Sequence, residues 1–450
     1  MPRANPRADA VHGSSIALAS VVETSAKTNG ALSISGRGGL VLVLLGLAVA
    51  STRQGIASRL GREGTLERLQ HAQKWDPSNP SFPVAAAELL SNSPELDPPR
   101  VVHSLEIAMR EGPNRALNWA LLGEADELAG DDKNAAMAFE RGLTLFPNSP
   151  KINWVYANFL IRAGDPQRTL GLMRVAIAGD PALRTGAFDL AWRAGLPPGE
   201  ILEAVPDEPQ ALSAYLDYLG RTNRLDAAKD VWSRLMARQD AIDRDAAFRY
   251  FDALLYARQI DAMAAVWSDL VRHNAMSDVP AQFPATAAGS NLVLNGGFEA
   301  PVLNGGFDWR LVPVEGAQIF VDAGVMHQGS HSLYIGFDGA HNIDFGNVVQ
   351  YVLVEPDTKY RFTAYARAEN ITTDRGPRFA IYDAIDSSAL SVATANMTGT
   401  FPWEGQQVEF TTGPGTRLLA IQVRRPPSRK LDNEIAGNLW IDDVELVQIP

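Results

Sequence analysis

Three patterns of apolar and polar positions follow one another along the 450-residue chain. Residues 1–35 mix Ala, Ser, Asn and Gly with no sustained period, and they are predicted to form a disordered tail. A purely apolar run follows, from Gly38 through Ala50, bounded by Arg37 and Arg53. The fifteen uncharged residues between those arginines make about 22 Å of helix, against a hydrocarbon core of about 30 Å. Snorkelling of both arginines narrows that gap. We assign residues 36–56 to a transmembrane anchor. An export signal reads the same residues, because Ala48-Val49-Ala50 has the form of an A-x-A cleavage site. A buried helix of the following domain is the third reading. Lys/Arg flank the run on both sides, and a literal positive-inside count puts the C-terminus in the cytoplasm.

Residues 65–275 change to a helical period and repeat. The segment Arg224–Leu235 matches Gln259–Leu270 thirty-five positions later, bringing Trp232 onto Trp267. Prolines at 77, 113, 147 and 181 punctuate helix ends, and the turns Gly130-Asp131 and Gly164-Asp165 are 34 residues apart. Trp119, Leu122, Gly123, Ala135, Phe139 and Pro147 sit at tetratricopeptide offsets, so this region resembles tetratricopeptide-repeat proteins. Two short amphipathic helices cannot bury their apolar faces alone, so such units stack into a superhelix, whose concave face is the expected site of a protein partner. Pro197-Pro198 and Pro206 break the period within 182–208, which predicts one shortened repeat.

Residues 276–290 read as a linker. Beyond them the period becomes two: Tyr360, Phe362, Ala364 and Ala366 alternate with Arg361, Thr363, Tyr365 and Arg367. Turn signals such as Asn304-Gly305-Gly306 and Pro356-Asp357 separate similar runs, which predicts one β-sandwich over 291–450. The expected fold class is therefore multidomain: an all-α tetratricopeptide-like superhelix, then an all-β jelly-roll sandwich, with one N-terminal transmembrane helix.

The opening Asn291–Glu299, the closing Leu439–Leu446 and, between them, Gly329–Ile335, Val349-Gln350 and Tyr360–Arg367 occur in an order that resembles the jelly-roll carbohydrate-binding modules found beside bacterial xylanases and cellulases. The resemblance implies a structural calcium on Glu299 with Asp442 or Asp443, the alternative being solvated strand ends. It also implies glycan binding on a concave sheet face, and Gln350, Tyr365, Arg367, Tyr382, Gln422 and Arg424 are the residues at matching positions. The alternative there is an ordinary polar outer face with two scattered tyrosines. Trp309 is expected in the core, Trp403 either there or as a platform, and the basic stretch Arg424–Lys430 as a solvated loop or a contact for an anionic polysaccharide.

Charge and composition narrow the functions. Net charge is +4 over residues 1–64 and −8 over each of 65–290 and 291–450. An acidic body without a basic stripe argues against nucleic acid. With no cysteine, thiolate zinc sites and cysteine nucleophiles are excluded. No phosphate-binding glycine loop, Gly-x-Ser-x-Gly elbow or carboxylate pair suited to glycoside hydrolysis is readable. The expected function is a non-enzymatic, membrane-tethered adaptor in the bacterial cytoplasmic membrane, its bulk in the periplasm because the resemblance of the sandwich to glycan-binding modules overrides the literal charge count. Its repeats bind protein and its sandwich binds polysaccharide, in envelope polysaccharide assembly or export. Alternatives are an accessory or cryptic glycoside hydrolase, and a scaffold whose sandwich binds protein only.

Overall fold

The computed structural model describes residues 34–94, 96–238, 242–273, 290–431 and 433–450. Of the expected tail over 1–35, residues 1–33 lie outside the described residues, while Ile34 and Ser35 are helical and not tail. The expected linker, apart from Ser290, also lies outside them. Helix α1 spans Ile34–Gly61, and its Gly39–Gly61 portion is long and apolar enough to cross a membrane. Its 23 residues rise about 34 Å, slightly more than a hydrocarbon core. The aliphatic side chains from Leu40 to Val49 are 55–70% exposed. This corrects the buried-helix reading for these residues, whose side chains are not packed into the repeats. At the other end of the same helix, Ala57 is fully buried against Leu69, Ala72, Phe82 and Ala86 of the first repeat helices. The apolar rod therefore runs into the repeats without a break.

The chain forms two compact units, Met1–Pro147 and Asn148–Pro450. The first holds α1 and the helices α2 (Leu66–Trp75), α3 (Ser81–Ser91), α4 (Pro98–Glu111), α5 (Ala116–Leu128) and α6 (Asp132–Leu145). Helix starts are set by local chemistry: Asp97 and Asp131 accept the third backbone N–H of α4 and α6. Gly130 adopts φ +81°, the left-handed step that ends a helix at little cost. Gly123 lets Phe139 pack against the α5 backbone, where a Cβ would strike that ring.

The second unit begins with α7 (Pro150–Arg162), α8 (Thr169–Gly179), α9 (Arg184–Arg193), α10 (Pro198–Ala204), α11 (Pro209–Arg221), α12 (Leu225–Met236), α13 (Arg244–Tyr256) and α14 (Ile260–Arg272). The seven-residue α10 is the shortened repeat. Trp232 and Trp267 are both buried at equivalent positions.

Ten strands follow: β1 (Arg310–Leu311), β2 (Ala317–Asp322), β3 (Ser332–Asp338), β4 (Phe345–Leu353), β5 (Lys359–Ile371), β6 (Arg378–Asp383), β7 (Ser391–Ala393), β8 (Gly399–Thr411), β9 (Leu418–Arg425) and β10 (Ala436–Gln448). They pair into two antiparallel sheets of order β1-β4-β9-β6-β7 (sheet I) and β2-β3-β10-β5-β8 (sheet II). Between the sheets lies a core that includes Leu333, Ile335, Phe362, Phe379, Ile421 and Ile441.

The sandwich packs directly on the last helices of its unit. Phe307 lies edge-on to Phe251 at 4.8 Å and to Trp267 at 5.7 Å. Leu294 and Leu418 join the helical core, with Tyr351 and Leu353 packed beside them. Gly305 and Gly306 let the turn approach: a Cβ on either would run into Phe248 or Trp267, and Gly306 adopts φ +59°. Arg310 pairs with Asp252, and Arg417 with Asp261 at 2.5 Å.

Candidate functional site

The six residues expected to share one glycan-binding face do not share it. Tyr365 and Arg367 lie on β5 in sheet II, whereas Gln350, Tyr382, Gln422 and Arg424 lie on β4, β6 and β9 in sheet I. Period two sorts side chains into inward and outward sets but carries no information on which sheet a strand joins.

Gln350 is also turned the other way. It alternates with the core residues Val348 and Val352, is fully buried, and uses its whole amide on one backbone group. Its Oε1 accepts the Leu294 N–H at 3.0 Å and its Nε2 donates to the Leu294 carbonyl at 2.8 Å. A buried amide satisfied in this way is a structural bracket. Gln422 donates to the Gly346 carbonyl at 2.8 Å, and Arg424 binds Asp344 and the Phe345 carbonyl at 2.8 Å. Burial pushes the Tyr382 hydroxyl above its usual range.

Sheet II presents a different outer face. Register places Phe320 of β2 opposite Tyr334 of β3, Tyr334 opposite Trp440 of β10, and Trp440 opposite Arg367 of β5. Adjacent ring centroids are 4.6 Å and 5.4 Å apart, and the Arg367 guanidinium lies 5.5 Å from the Trp440 ring. Both spacings are in the range of favourable ring contacts. In the next row, the His327 ring stacks on Tyr365 at 3.8 Å and lies 5.6 Å from Trp403. Opposite Tyr365 stands Gly405, around whose Cβ position there is open space. Phe320 is 46% and Tyr365 38% exposed. Sequence reasoning missed Phe320, Tyr334 and Trp440, which come together only through strand register.

Polar groups border the rings. Trp440 Nε1 donates to Asp322 Oδ2 at 2.8 Å, Tyr334 donates to Asn438 Oδ1 at 2.8 Å, and Arg367 donates to Glu369 at 2.6 Å. Burial first, then the charges of Asp322 and Glu369, raise the Tyr334 hydroxyl pKa. Beside Tyr334 a 330 Å³ recess opens over Gly336, Gln318 and Asn438. A Cβ at Gly336 would push the Tyr334 hydroxyl aside, so the glycine lets that ring lie over the strand.

Glu299, Asp442 and Asp443 lie close to Gly297, but N–H donors occupy their oxygens. Glu299 accepts from Ser330 and His331 at 2.6 and 3.1 Å, Asp442 from His327 and Gln328 at 2.9 and 3.1 Å, and Asp443 meets the His327 ring at 2.6 Å. Among the described residues no group of three or more His, Asp or Glu side chains is arranged to hold a metal. Glu299 Oε1, Asp442 Oδ2 and Asp443 Oδ2 are thus engaged by N–H groups of the 327–331 loop, an arrangement that does not match a calcium cage of free oxygens. Trp309 is buried and donates to the Asn295 carbonyl at 3.2 Å. Within the basic stretch, Arg425 is fully buried, with acceptors that include Arg375 and Asn433 carbonyls and Asn342 Oδ1, so this cation is internal and not a solvated one.

Fold and site together define a tetratricopeptide-like repeat protein that ends in a jelly-roll sandwich. No family model matches the chain, and no curated protein matches it. Among solved structures, it is similar to a family 16 carbohydrate-binding module at 22% identity, over 35% of this chain and 99% of that one, with a TM-score of 0.25. It is similar to MamA at 15% identity, over 39% and 94%, with a TM-score of 0.30. It is also similar to the enzymatically active domain of bacteriophage CBA120 tailspike protein 4 at 17% identity and a TM-score of 0.27, covering 35% of this chain and only 21% of the tailspike chain.

Proposed function

We propose that the sandwich is a glycan receptor whose site is the outer face of sheet II. The observation that carries this reading is the register-aligned row Phe320–Tyr334–Trp440–Arg367 with exposed Tyr365 beside it. Aromatic faces complement the apolar C–H faces of pyranose rings, and Asp322, Asn438 and Glu369 at the border accept hydroxyls. Both Arg367 and Arg424 already have carboxylate partners, so the site suits a neutral, hydroxyl-rich polysaccharide better than an acidic one. A shallow face of this kind binds weakly, on the order of micromolar to millimolar, and tethering supplies avidity.

In this reading α1 anchors the chain in the bacterial cytoplasmic membrane with residues 65–450 in the periplasm. The repeats bind a protein partner, and the molecule adds no catalysis of its own to envelope polysaccharide assembly or export. Titration of the full chain in micelles with neutral polysaccharides tests the central claim. Tyr365→Ala and Phe320→Ala are expected to weaken binding about tenfold or more, and Tyr382→Ala to leave it unchanged. Equal binding by wild type and Tyr365→Ala overturns the site. Protease added to spheroplasts should digest the repeats, and full protection overturns the orientation.

A further inference from the structure

A second cavity lies within the first compact unit. It measures 600 Å³ and opens between α4 and α6, with α5 as its floor, a size in the range of ligand pockets. Its lining includes Glu106 of α4, Trp119, Leu122 and Asp126 of α5, and Met137 and Arg141 of α6. Most of the wall comes from second helices of repeats, not from the first helices expected to build a concave partner surface.

Part of the cavity's depth is legible in the repeat pattern. After Trp119, Leu122 and Gly123, the tetratricopeptide pattern places a tyrosine three residues beyond the glycine. This chain has Asp126 there, and one repeat later, 34 residues on, Leu160, which is buried. A position built for a large apolar side chain thus holds a short carboxylate, which deepens the cavity at this point. Asp126 is only 6% exposed, and its carboxylate makes no hydrogen bond or ion pair with any described residue. Burial, then the charges of Asp131 and Glu106, raise its pKa to about 6. At neutral pH the group is still mostly ionised, so the fold holds a partly desolvated carboxylate that is not ion-paired with any described residue. One turn before Leu122 on the same helix stripe, Asn118 is buried with its Nδ2 lacking an acceptor.

Trp119, Leu122, Met137 and Ala138 supply the apolar part of the lining and Glu106, Asp126 and Glu140 supply carboxylates, a mixture that selects a ligand both apolar and cationic. We propose that this cavity receives a basic–apolar peptide segment of a protein partner, one Lys or Arg head seated against Asp126 and its alkyl neck packed on Trp119, Leu122 and Met137. The long alkyl stems of these side chains suit such a passage. Arg141 at the rim disfavours a free small cation and leaves room for a chain whose acidic or polar residues face it. The inference rests on the reading that the repeats bind protein, and it gives that partner a charge and a position.

The test is fluorescence anisotropy on the full chain in micelles, with a labelled peptide of alternating Lys and Leu and its Glu–Leu counterpart. The Lys–Leu peptide should bind and the Glu–Leu peptide should not. Affinity should fall as pH drops through about 6, where Asp126 takes up its proton. Asp126→Asn and Asp126→Leu should each lose about tenfold or more, because an uncompensated charge in the partner then enters the cavity. Asp126→Leu, which restores the side chain of the next repeat, should also raise the melting temperature, so its loss of binding is not loss of fold. Undiminished Lys–Leu binding by Asp126→Leu overturns the proposal. Binding of the Glu–Leu peptide alone overturns the charge assignment while sparing protein recognition by the repeats. Binding of neither peptide overturns the proposal and counts against these repeats as a peptide receptor.

Discussion

The two outer faces of the sandwich are built from the same kind of strand and have opposite fates. On sheet I, polar side chains are spent internally: Gln422 on a carbonyl, Arg424 on Asp344, while Tyr351 and Leu353 pack against helices. On sheet II, rings from three strands line up, with Phe320 exposed at the edge and Trp440 buried under its neighbours. The difference follows from what each face abuts. Sheet I closes the end of the helical array, where Phe307 contacts Trp267; its counterpart Trp232 is instead 5.8 Å from Tyr250 of the next helix pair. The sandwich stands where a further repeat would stand, which supplies the capping that terminal repeats need. Among the described residues sheet II makes no such contact with the helices, and Phe320 and Tyr365 on its outer face stay exposed.

The same contrast separates two copies of one motif. Asn295-Gly296-Gly297-Phe298 and Asn304-Gly305-Gly306-Phe307 are identical in sequence. Phe298 plugs the sandwich core beside Trp309, whereas Phe307 plugs the helices. Phe307→Ala should therefore have the largest effect, about 3–5 kcal/mol for an emptied aromatic site. Denaturant unfolding should show the last repeats and sandwich separating into two transitions. Trp232→Ala should cost a similar amount but leave those two parts coupled. A loss under about 1 kcal/mol in either variant would mean that the packing described is not what holds the unit together.

Asp308, next to Phe307, is the next lever. It is buried, its Oδ2 accepts the Leu303 N–H at 2.7 Å, and its Oδ1 has no partner. Burial raises its pKa to about 6. Between about pH 4 and 6 the folded chain then holds more protons than the unfolded one, so this residue's contribution to stability falls as pH rises. The unfolding free energy of wild type relative to Asp308→Asn should decline across that window by on the order of 2–3 kcal/mol. A difference independent of pH contradicts a buried, poorly paired carboxyl at the docking turn.

The glycan variants come third in size. A tenfold loss in Tyr365→Ala or Phe320→Ala is about 1.4 kcal/mol, with no loss in Tyr382→Ala. Equal losses on both faces would erase the comparison drawn here. The smallest effect belongs to Arg417→Ala. Its partner Asp261 is exposed and held below the usual carboxylate range by that guanidinium, and salt screens such a pair. The melting temperature should shift less than in any variant above, and the shift should shrink further at high salt. A shift as large as that of Phe307→Ala would make the ion pair, not the ring, the anchor.

Much of this architecture is written locally. Proline and glycine spacing placed the helix pairs, and the matched tryptophans placed the repeat register. Alternation around Phe362 and Ala364 separated inward from outward residues within β5, all of it confirmed by burial. These features depend on neighbours a few residues apart, so a single chain segment contains the information. The apolar run is local too, but its fifteen uncharged residues understate the 23-residue span that the helix provides, and its exposure is seen only in the structure.

What escaped was everything set by distant partners. Gln350 points inward because β4 shifts register between Phe345 and Val348, and because the Leu294 backbone offers its amide both halves of a bond. Phe320, Tyr334 and Trp440 become one row only when β2, β3 and β10 pair, and more than a hundred residues separate the first from the last. Two Asn-Gly-Gly-Phe turns of identical sequence take different destinations for the same reason. Periodicity determined which side of each strand is apolar; tertiary pairing decided which apolar or aromatic side chains meet, since register is fixed by the partner strand and not by the strand itself.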